Sequence, residues 1–187
     1  MKPFLFLLLC ALSACGPTTP QTAPKPVYFD VAGYVKDQIG TLEKAKPTVT
    51  KQALISGKTN NQTTSTIDWA KELELFLQAD INKPAFRTSY AVARPDSLTY
   101  EYTLKPSEEK LTVRALTIQL DADTQKPVRI EALLKTENPL YTSERHLWLE
   151  SGADRRTGWG IRKYRVEGFQ QLTYFDRNTF RVEARVN

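Results

Sequence analysis

The sequence predicts an α+β domain in which two N-terminal helices pack on a curved antiparallel sheet of about six to seven strands, arranged as a meander or half-barrel. Two stretches in the N-terminal half place apolar residues at helical spacing. From Leu98 onward, apolar residues alternate with polar ones, which is typical of strands with one buried face. The turns between these strands are short, and short connections join antiparallel neighbours.

Each predicted helix has an apolar stripe and residues suited to its ends. The first stripe consists of Val31, Val35, Ile39 and Leu42. Asp30 can cap the start of this helix, and Pro47 ends it. The second stripe consists of Trp69, Leu73, Phe76 and Leu77. Ser65 and Asp68 resemble a capping box at its start, and the helix ends before Pro84.

One predicted strand covers residues 49–56 between the helices, and residues 57–61 are predicted to form a turn. The remaining strands follow the alternating pattern and cover residues 98–104, 111–120, 128–134, 141–149, 159–166 and 180–186. Within the second of these, the alternation changes phase between Ala115 and Leu116. One extra residue in a β-bulge would produce such a change.

The N-terminus carries the most specific motif of the chain. Lys2 precedes an apolar run that ends in Leu12-Ser13-Ala14-Cys15. The run is about half the roughly 20 residues that a membrane-spanning helix needs. The motif resembles the lipobox of bacterial lipoproteins. The resemblance implies that residues 1–14 are a signal peptide, that cleavage occurs between Ala14 and Cys15, and that Cys15 carries lipid.

The resemblance also implies a location in the cell envelope. Lipoproteins of this type normally carry three acyl chains, which anchor the protein so firmly that the folded domain needs no membrane-inserting surface. Gly16 stands where Asp favours retention in the inner membrane, so we expect the outer membrane, with the domain on the periplasmic side. Residues 15–26 are rich in Pro and Thr and predict a tether about 30 Å long. Residues 27–187 then form one domain.

The residue types disfavour catalysis, so we expect a protein that is not an enzyme. The lipobox resemblance implies that Cys10 leaves with the signal peptide and that Cys15 is acylated, so we expect neither thiol to be free for chemistry or for a disulfide. His146 is the only histidine, and its strand position places it on the polar face of the sheet. Asp121-Ala122-Asp123 predicts a hairpin turn, because the Gly and distant Glu of a calcium loop are missing. We therefore expect neither a metal site nor a cofactor.

The C-terminal segment 154–187 is basic, with eight cationic and four acidic residues, whereas residues 15–153 hold 17 of each sign. The cationic residues are candidates for binding an anionic ligand: Arg155, Arg156, Arg162, Lys163, Arg165, Arg177, Arg181 and Arg185. Alternating strands could equally place these side chains in water with no ligand. The expected partners of an exported lipoprotein are the membrane, an envelope protein, an anionic lipid or a glycan, and not nucleic acid.

Three segments resemble Bacteroidota lipoproteins that have no known activity: residues 65–69, 79–84 and 136–144. In addition, Asp96-Ser97-Leu98 resembles the acceptor for O-glycosylation in Bacteroidota. Two functions remain open. The first is a non-catalytic binding or interaction module, and the second is a carrier or acceptor of lipid or another hydrophobic ligand between the helices and the sheet.

Overall fold

The computed structural model describes residues 26–187 and contains one large sheet with a helical layer on one face. The predicted signal peptide, the cleavage site at Ala14, the lipidated Cys15 and all of the tether except Pro26 lie outside the described residues. The helices are α1 (Val31–Ala45), α2 (Trp69–Glu72) and α3 (Glu74–Gln78). Within residues 26–187, none of the helices is long and apolar enough to span a membrane.

The sheet has nine strands: β1 (Val49–Ile55), β2 (Lys58–Thr64), β3 (Tyr90–Ala93), β4 (Thr99–Leu104), β5 (Val113–Leu120), β6 (Pro127–Glu137), β7 (Tyr141–Asp154), β8 (Gly158–Leu172) and β9 (Asn178–Val186). Their spatial order is β2-β1-β9-β8-β7-β6-β5-β4-β3, and every neighbouring pair is antiparallel. The strands from β3 to β9 therefore form a meander. The β1–β2 hairpin extends it beyond β9, so the last strand of the chain lies inside the sheet.

The predicted fold class is wrong in its number of strands, because two edge strands were missed. β2 occupies most of residues 57–61, which were predicted to form a turn. The actual turn consists of Ser56 and Gly57, both with positive φ. The side chains of β2 are polar and almost all exposed, so this strand has no apolar alternation to reveal it. β3 is only four residues long and has a single buried side chain, Tyr90. Edge strands of this kind leave little signal in a sequence.

The predicted fold class is also wrong in its helical layer, because the second helix is two short helices. The backbone leaves helical geometry at Leu73, with φ −100° and ψ 9°, so that α2 and α3 have four and five residues. Leu73 and Phe76 are nevertheless fully buried. Apolar spacing reports which face is buried and not whether the backbone between those residues is continuous. The cap is Asp68, which accepts from the amide of Lys71 at 3.1 Å, rather than Ser65.

Other local predictions are confirmed. α1 starts after Asp30, whose carboxylate accepts from the amide of Gly33 at 2.7 Å, and it ends two residues before Pro47. A bulge was predicted in β5 between Ala115 and Leu116, and the register of β5 against β6 shifts nearby, between Val113 and Ala115.

The hydrophobic core lies between the helices and one face of the sheet. Its largest fully buried side chains include Phe76, Leu73 and Ile81 from the helical layer, and Tyr164, Leu116, Ile118, Ile130, Leu134, Leu147, Leu149 and Ile161 from the strands. A register shift between Glu150 and Ser151 also interrupts the β7–β8 pairing. There Gln38 of α1 accepts from the amide of Ile161 at 3.1 Å, so the helix satisfies the backbone at the irregular point.

Candidate binding face

The sheet face opposite the helices, called here the open face, carries the most unusual cluster of side chains. Since successive side chains of a strand point to opposite faces, burial of Leu147 and Leu149 in the core turns Trp148 outward. The strand register places Glu131 and Arg165 on either side of Trp148. Glu183 continues the row on β9. The open face thus presents an aromatic ring between charged residues from neighbouring strands.

Trp148 is held between two planar cationic or polar groups. The guanidinium of Arg165 lies over the indole, 4.0 Å from its centroid. The ring of His146, which lies on β7 like Trp148, stacks on the indole with ring centroids 5.7 Å apart and an interplanar angle of 16°. The Nε2 atom of His146 lies 3.1 Å from a carboxylate oxygen of Glu144. These contacts fix the orientation of the indole, so the cluster is preorganised.

Each cation of the open face near Trp148 has a carboxylate beside it. Arg129 reaches Glu131 and Glu150, both at 3.4 Å. The remaining pairs involve β8 and β9: Lys163 with Glu183 at 3.0 Å, Arg165 with Glu167 at 3.8 Å, Arg181 with Glu167 at 2.7 Å, and Arg185 with Glu183 at 3.8 Å. Opposite charges that alternate across strands in this way keep the local net charge small.

Two depressions adjoin this cluster. The first has a volume of about 170 Å³, and its lining includes Trp148, Arg129, Glu131 and Arg165. The second is broader, about 400 Å³, and its lining includes His146, Leu54, Phe169 and Arg177. The guanidinium of Arg177 covers Phe169 at 3.9 Å, which repeats the arrangement at Trp148. Its volume is in the range of small-ligand sites, but it is shallow and open to solvent.

The structure separates the eight cations of the predicted anionic-ligand patch into two groups. Lys163, Arg165, Arg181 and Arg185 lie on the open face, with Arg177 in the turn beside it. Arg155, Arg156 and Arg162 gather at the β7–β8 turn, at the end of these strands. Seven residues of extended strand, about 23 Å, separate Arg162 from Phe169 under Arg177. The eight residues therefore do not form one site.

The group at the β7–β8 turn has mainly a structural task. Backbone amides of Arg156 and Thr157 donate to the Asp154 carboxylate at 2.8 and 2.9 Å, and this lowers the pKa of Asp154. The nearby guanidinium of Arg162, 2.6 Å away, lowers it further. Arg156 donates to the terminal carbonyl oxygen of Asn187 at 2.8 Å. These contacts close the turn and tie it to the end of β9.

The remaining candidate residues are placed as follows. His146 is on the polar open face, as predicted, and its partner is the carboxylate of Glu144. Among residues 26–187, no group of three or more His, Cys, Asp or Glu side chains is arranged to hold a metal ion. Asp121 forms the predicted turn, since its carboxylate accepts from the amide and hydroxyl of Thr124, both at 2.8 Å. Ser97 is exposed in the β3–β4 turn, so its glycosylation stays a prediction.

The space that a carrier would need lies between the helices and the sheet. A cavity bounded by the end of α1, Ile161 and Val186 has a volume of about 20 Å³. Another of about 20 Å³ lies beside Tyr28 and Ile81. Each has room for about one water molecule, whereas a hydrophobic ligand requires about 300 Å³ or more.

Sequence reasoning missed Trp148 and the carboxylates of β6 and β7 as parts of the site. It counted charges along the C-terminal segment, where the cations are in excess. Glu131 and Glu150 belong to earlier strands. Only the strand register places Glu131 opposite Trp148, and Glu150 opposite Arg129 and Lys163. The alternation that placed His146 on the polar face applies equally to Trp148, and this signal could have found it.

Comparison of the chain with protein-family models, with curated proteins and with solved structures gives no match. The three segments for which the sequence predicts a resemblance to Bacteroidota lipoproteins occupy distinct places in the fold. Residues 65–69 lead into α2, and residues 136–144 form the β6–β7 hairpin. Residues 79–84 hold the start of the domain, because Asn82 accepts from the amides of Val27 and Tyr28 at 3.1 and 2.9 Å.

Proposed function

We propose that the protein is a lipid-anchored lipoprotein of the bacterial envelope and acts as a non-catalytic binding module, with the open face as its binding surface. The lipobox-like Leu12 to Cys15 motif supports the anchor and the envelope location. The outer membrane is the proposed membrane, and the periplasm is the proposed compartment of the domain. The proposed partner is another envelope protein.

The observation that carries the binding function is the preorganised Trp148 cluster on a solvent-facing sheet surface. Trp and Arg are the residues most enriched at the energetic centres of protein interfaces. Here an indole and a guanidinium are stacked at 4.0 Å before any partner arrives. Little side-chain freedom remains to be lost on binding, which favours affinity. The depression beside the indole offers a place for a partner side chain.

The charge pattern favours a protein partner over a polyanion. Around Trp148, five cations face four carboxylates, so the surface attracts a polyanionic lipid or glycan only weakly. Alternating charges instead provide specificity toward a surface with the complementary alternation. The carrier function has no such support. Two cavities under the helical layer hold only about 20 Å³ each, and the depression of about 360 Å³ between the end of α1 and the β7–β8 turn is open to solvent.

The binding function is tested by replacing Trp148. The acylated protein is purified from envelopes in mild detergent as wild type, Trp148→Ala and Arg155→Ala. Arg155 is an exposed residue of the β7–β8 turn and serves as the matched control. We expect a stoichiometric protein partner with wild type and Arg155→Ala, and a loss of binding of at least about tenfold with Trp148→Ala. Thermal melts show whether the variants remain folded.

Three outcomes contradict the binding proposal: no stoichiometric protein partner, a partner that Trp148→Ala retains in full, or specific capture of anionic vesicles by the open face instead. The anchor is tested separately by mass spectrometry of the native protein. We expect an N-terminal Cys15 with acyl chains and loss of this acylation in Cys15→Ser. An unmodified Cys15 in the native protein contradicts the anchor but does not affect the test of partner binding by the open face.

A further inference from the structure

Exposed hydrophobic side chains concentrate at one end of the sheet. This end, called here the apolar end, contains the turns after β1, β6 and β8. The exposed side chains there are Leu54, Ile55, Leu140, Leu172, Tyr174 and Phe175. Tyr174 is 100% exposed and Leu140 is 74% exposed, so both side chains project from the surface. Scattered exposed hydrophobic residues are ordinary, but a cluster on adjacent turns indicates a contact surface.

Hydrogen bonds between neighbouring turns hold the apolar end in a defined conformation. Thr173 of the β8–β9 turn donates from its amide and its hydroxyl to the carbonyl oxygen of Leu140, both at 3.0 Å. The same hydroxyl donates to the carbonyl oxygen of Pro139 at 2.7 Å. Two hairpins are therefore joined at their tips. Tyr174 has φ 80°, a conformation that a non-glycine residue rarely adopts, and it is held with its ring in solvent.

The opposite end of the sheet has a different character. Its connections are residues 94–98, 121–126 and 155–157, and they contain none of the exposed large hydrophobic side chains of residues 26–187. Aspartates organise these turns through hydrogen bonds to backbone amides, at Asp96, Asp121 and Asp154. The clustered exposed hydrophobic side chains thus lie at the β1, β6 and β8 turns of one end, beside the charged β4–β5 connection of residues 105–112.

The chain joins the domain at the apolar end. Asn82 fixes Val27 at that end, and the hydroxyl of Tyr28 donates to the carbonyl oxygen of Arg87 at 2.8 Å, just before β3 begins. β3 starts at Tyr90, opposite the last residue of β4. Ten residues, 16–25, separate the lipobox cysteine from Pro26, so the two are eleven residue steps apart. In extended form they reach about 34 Å, which exceeds the width of five strands, about 24 Å, between this point and β8.

We propose that the apolar end seats in the headgroup region of the bilayer, with Leu140, Leu172, Tyr174 and Phe175 entering the interface. This inference rests on the lipid anchor in the proposed function. Tyrosine favours the membrane interface because it combines an apolar ring with a polar hydroxyl, and phenylalanine and leucine add apolar surface that the interface can bury. The acyl chains supply the attachment, and the apolar end sets the orientation. The strands then stand away from the membrane, and the open face remains accessible from the side.

The proposal is tested with a fluorophore that reports on its surroundings. The acylated protein carries a nitrobenzoxadiazole label at Tyr174→Cys or, as the matched control, at Ala122→Cys in an exposed turn of the opposite end. The vesicles contain phosphatidylethanolamine and phosphatidylglycerol. We expect a blue shift and quenching by headgroup-level nitroxide lipids for the label at residue 174 only. Equal signals from both positions contradict the proposal.

A second measurement separates the apolar end from the anchor. Vesicle binding is measured with the full chain carrying Cys15→Ser, alone and combined with Tyr174→Ser and Phe175→Ser. We expect the added pair of changes to weaken binding at least about tenfold, and Val92→Ser on the β3 edge to have no such effect. Vesicle binding that is unchanged by Tyr174→Ser and Phe175→Ser contradicts the proposal. In the labelling experiment, a blue shift that occurs without vesicles and disappears on dilution also contradicts it, because such a shift indicates contact between copies of the protein. If Cys15 is not acylated in the native protein but Tyr174→Ser and Phe175→Ser still weaken vesicle binding, only the lipid anchor is contradicted.

Discussion

Tyr164 lies where the helical layer meets the sheet and links three elements. Its hydroxyl donates to one carboxylate oxygen of Glu72 at 2.9 Å, and the other oxygen contacts Lys51 at 2.6 Å. Its ring meets Phe76 edge-on at 6.4 Å. Burial raises the pKa of Tyr164 far above its ordinary range, and the negative charge of Glu72 raises it further. The Glu72 carboxylate of α2 thus joins Tyr164 of β8 to Lys51 of β1, and Tyr164 can donate to it only in its neutral form.

Tyr90 is a second buried tyrosine whose raised pKa makes the stability of the fold depend on pH. Burial raises the pKa of Tyr90 to about 12, with a smaller contribution from the Tyr28 phenol. Its hydroxyl donates to the carbonyl oxygen of Val113 at 3.0 Å. In the unfolded chain the phenol ionises near pH 10, whereas the folded chain keeps its proton. The folded state therefore loses stability as pH rises from about 10 to about 12.

We predict that Tyr90→Phe makes this loss less steep. Each tyrosine that stays protonated only in the folded state contributes about 1.4 kcal/mol per pH unit in this window. The variant lacks that contribution, and at pH 7 it is less stable by about 1 kcal/mol because the Val113 carbonyl loses its donor. Urea unfolding between pH 7 and 12 measures both effects. Tyr174→Phe, which alters a fully exposed ring, is the control and should follow the wild-type curve.

β7 and β8 form the longest pair of the sheet, and the elements approach each other unusually closely at one point. A Cβ atom on Gly168 would lie 1.9 Å from the carbonyl oxygen of Glu144 and 3.0 Å from the Cα atom of Arg145. Backbone atoms cannot move aside as a flexible side chain can. Gly168 also lines the broader depression of the open face, so the close approach shapes the candidate binding surface.

We predict that Gly168→Ala destabilises the protein by about 2 to 3 kcal/mol, because it forces β7 and β8 apart. Gly152→Ala is the matched control in the same strand pair. There the new Cβ would meet only the Cγ atom of Arg162, at 3.9 Å, which is an ordinary contact. Thermal and urea unfolding of the two variants compare the effects. A Gly168→Ala variant as stable as Gly152→Ala would show that the pairing can relax without cost.

The elements differ in how visible they are in the sequence. α1 was predicted because its stripe, its Asp30 cap and its proline stop agree, and β4 to β9 were predicted because each buries one face. β2 was hidden because neither of its faces is buried. Its pairing depends on β1, and a single-strand pattern cannot report the neighbour that holds a strand in place.

At the scale of the whole molecule, the first strand of the sheet pairs with the last strand of the described chain. Val49 pairs with Val186, and the amide of Asn187 donates to the carbonyl oxygen of Thr48 at 2.9 Å. β9 therefore joins the β1–β2 hairpin to the meander, with β8 on its other side. Such distant pairings are costly in loop-closure entropy and form late or slowly in folding.

We predict that deletion of residues 178–187, which removes β9, abolishes cooperative unfolding. The deletion exposes the edges of β1 and β8 together and removes Ala184 from the core. Near-ultraviolet circular dichroism and thermal melting measure the loss of fixed tertiary structure. Deletion of Asn187 alone is the control and should leave a cooperative transition. A chain without β9 that still melts cooperatively would contradict this role of the last strand.

The sequence by itself determined the elements whose signals are local. Alternation and capping depend on residues close together in the chain, and so does the lipobox-like motif that predicts an anchor at Cys15. Only the tertiary structure decided that the cations of the C-terminal segment divide into two groups, that Glu131 and Arg165 flank Trp148, and that exposed hydrophobic side chains collect at one end of the sheet. The physical reason is that strand order and register bring distant residues together, and neither is encoded in the pattern of a single strand.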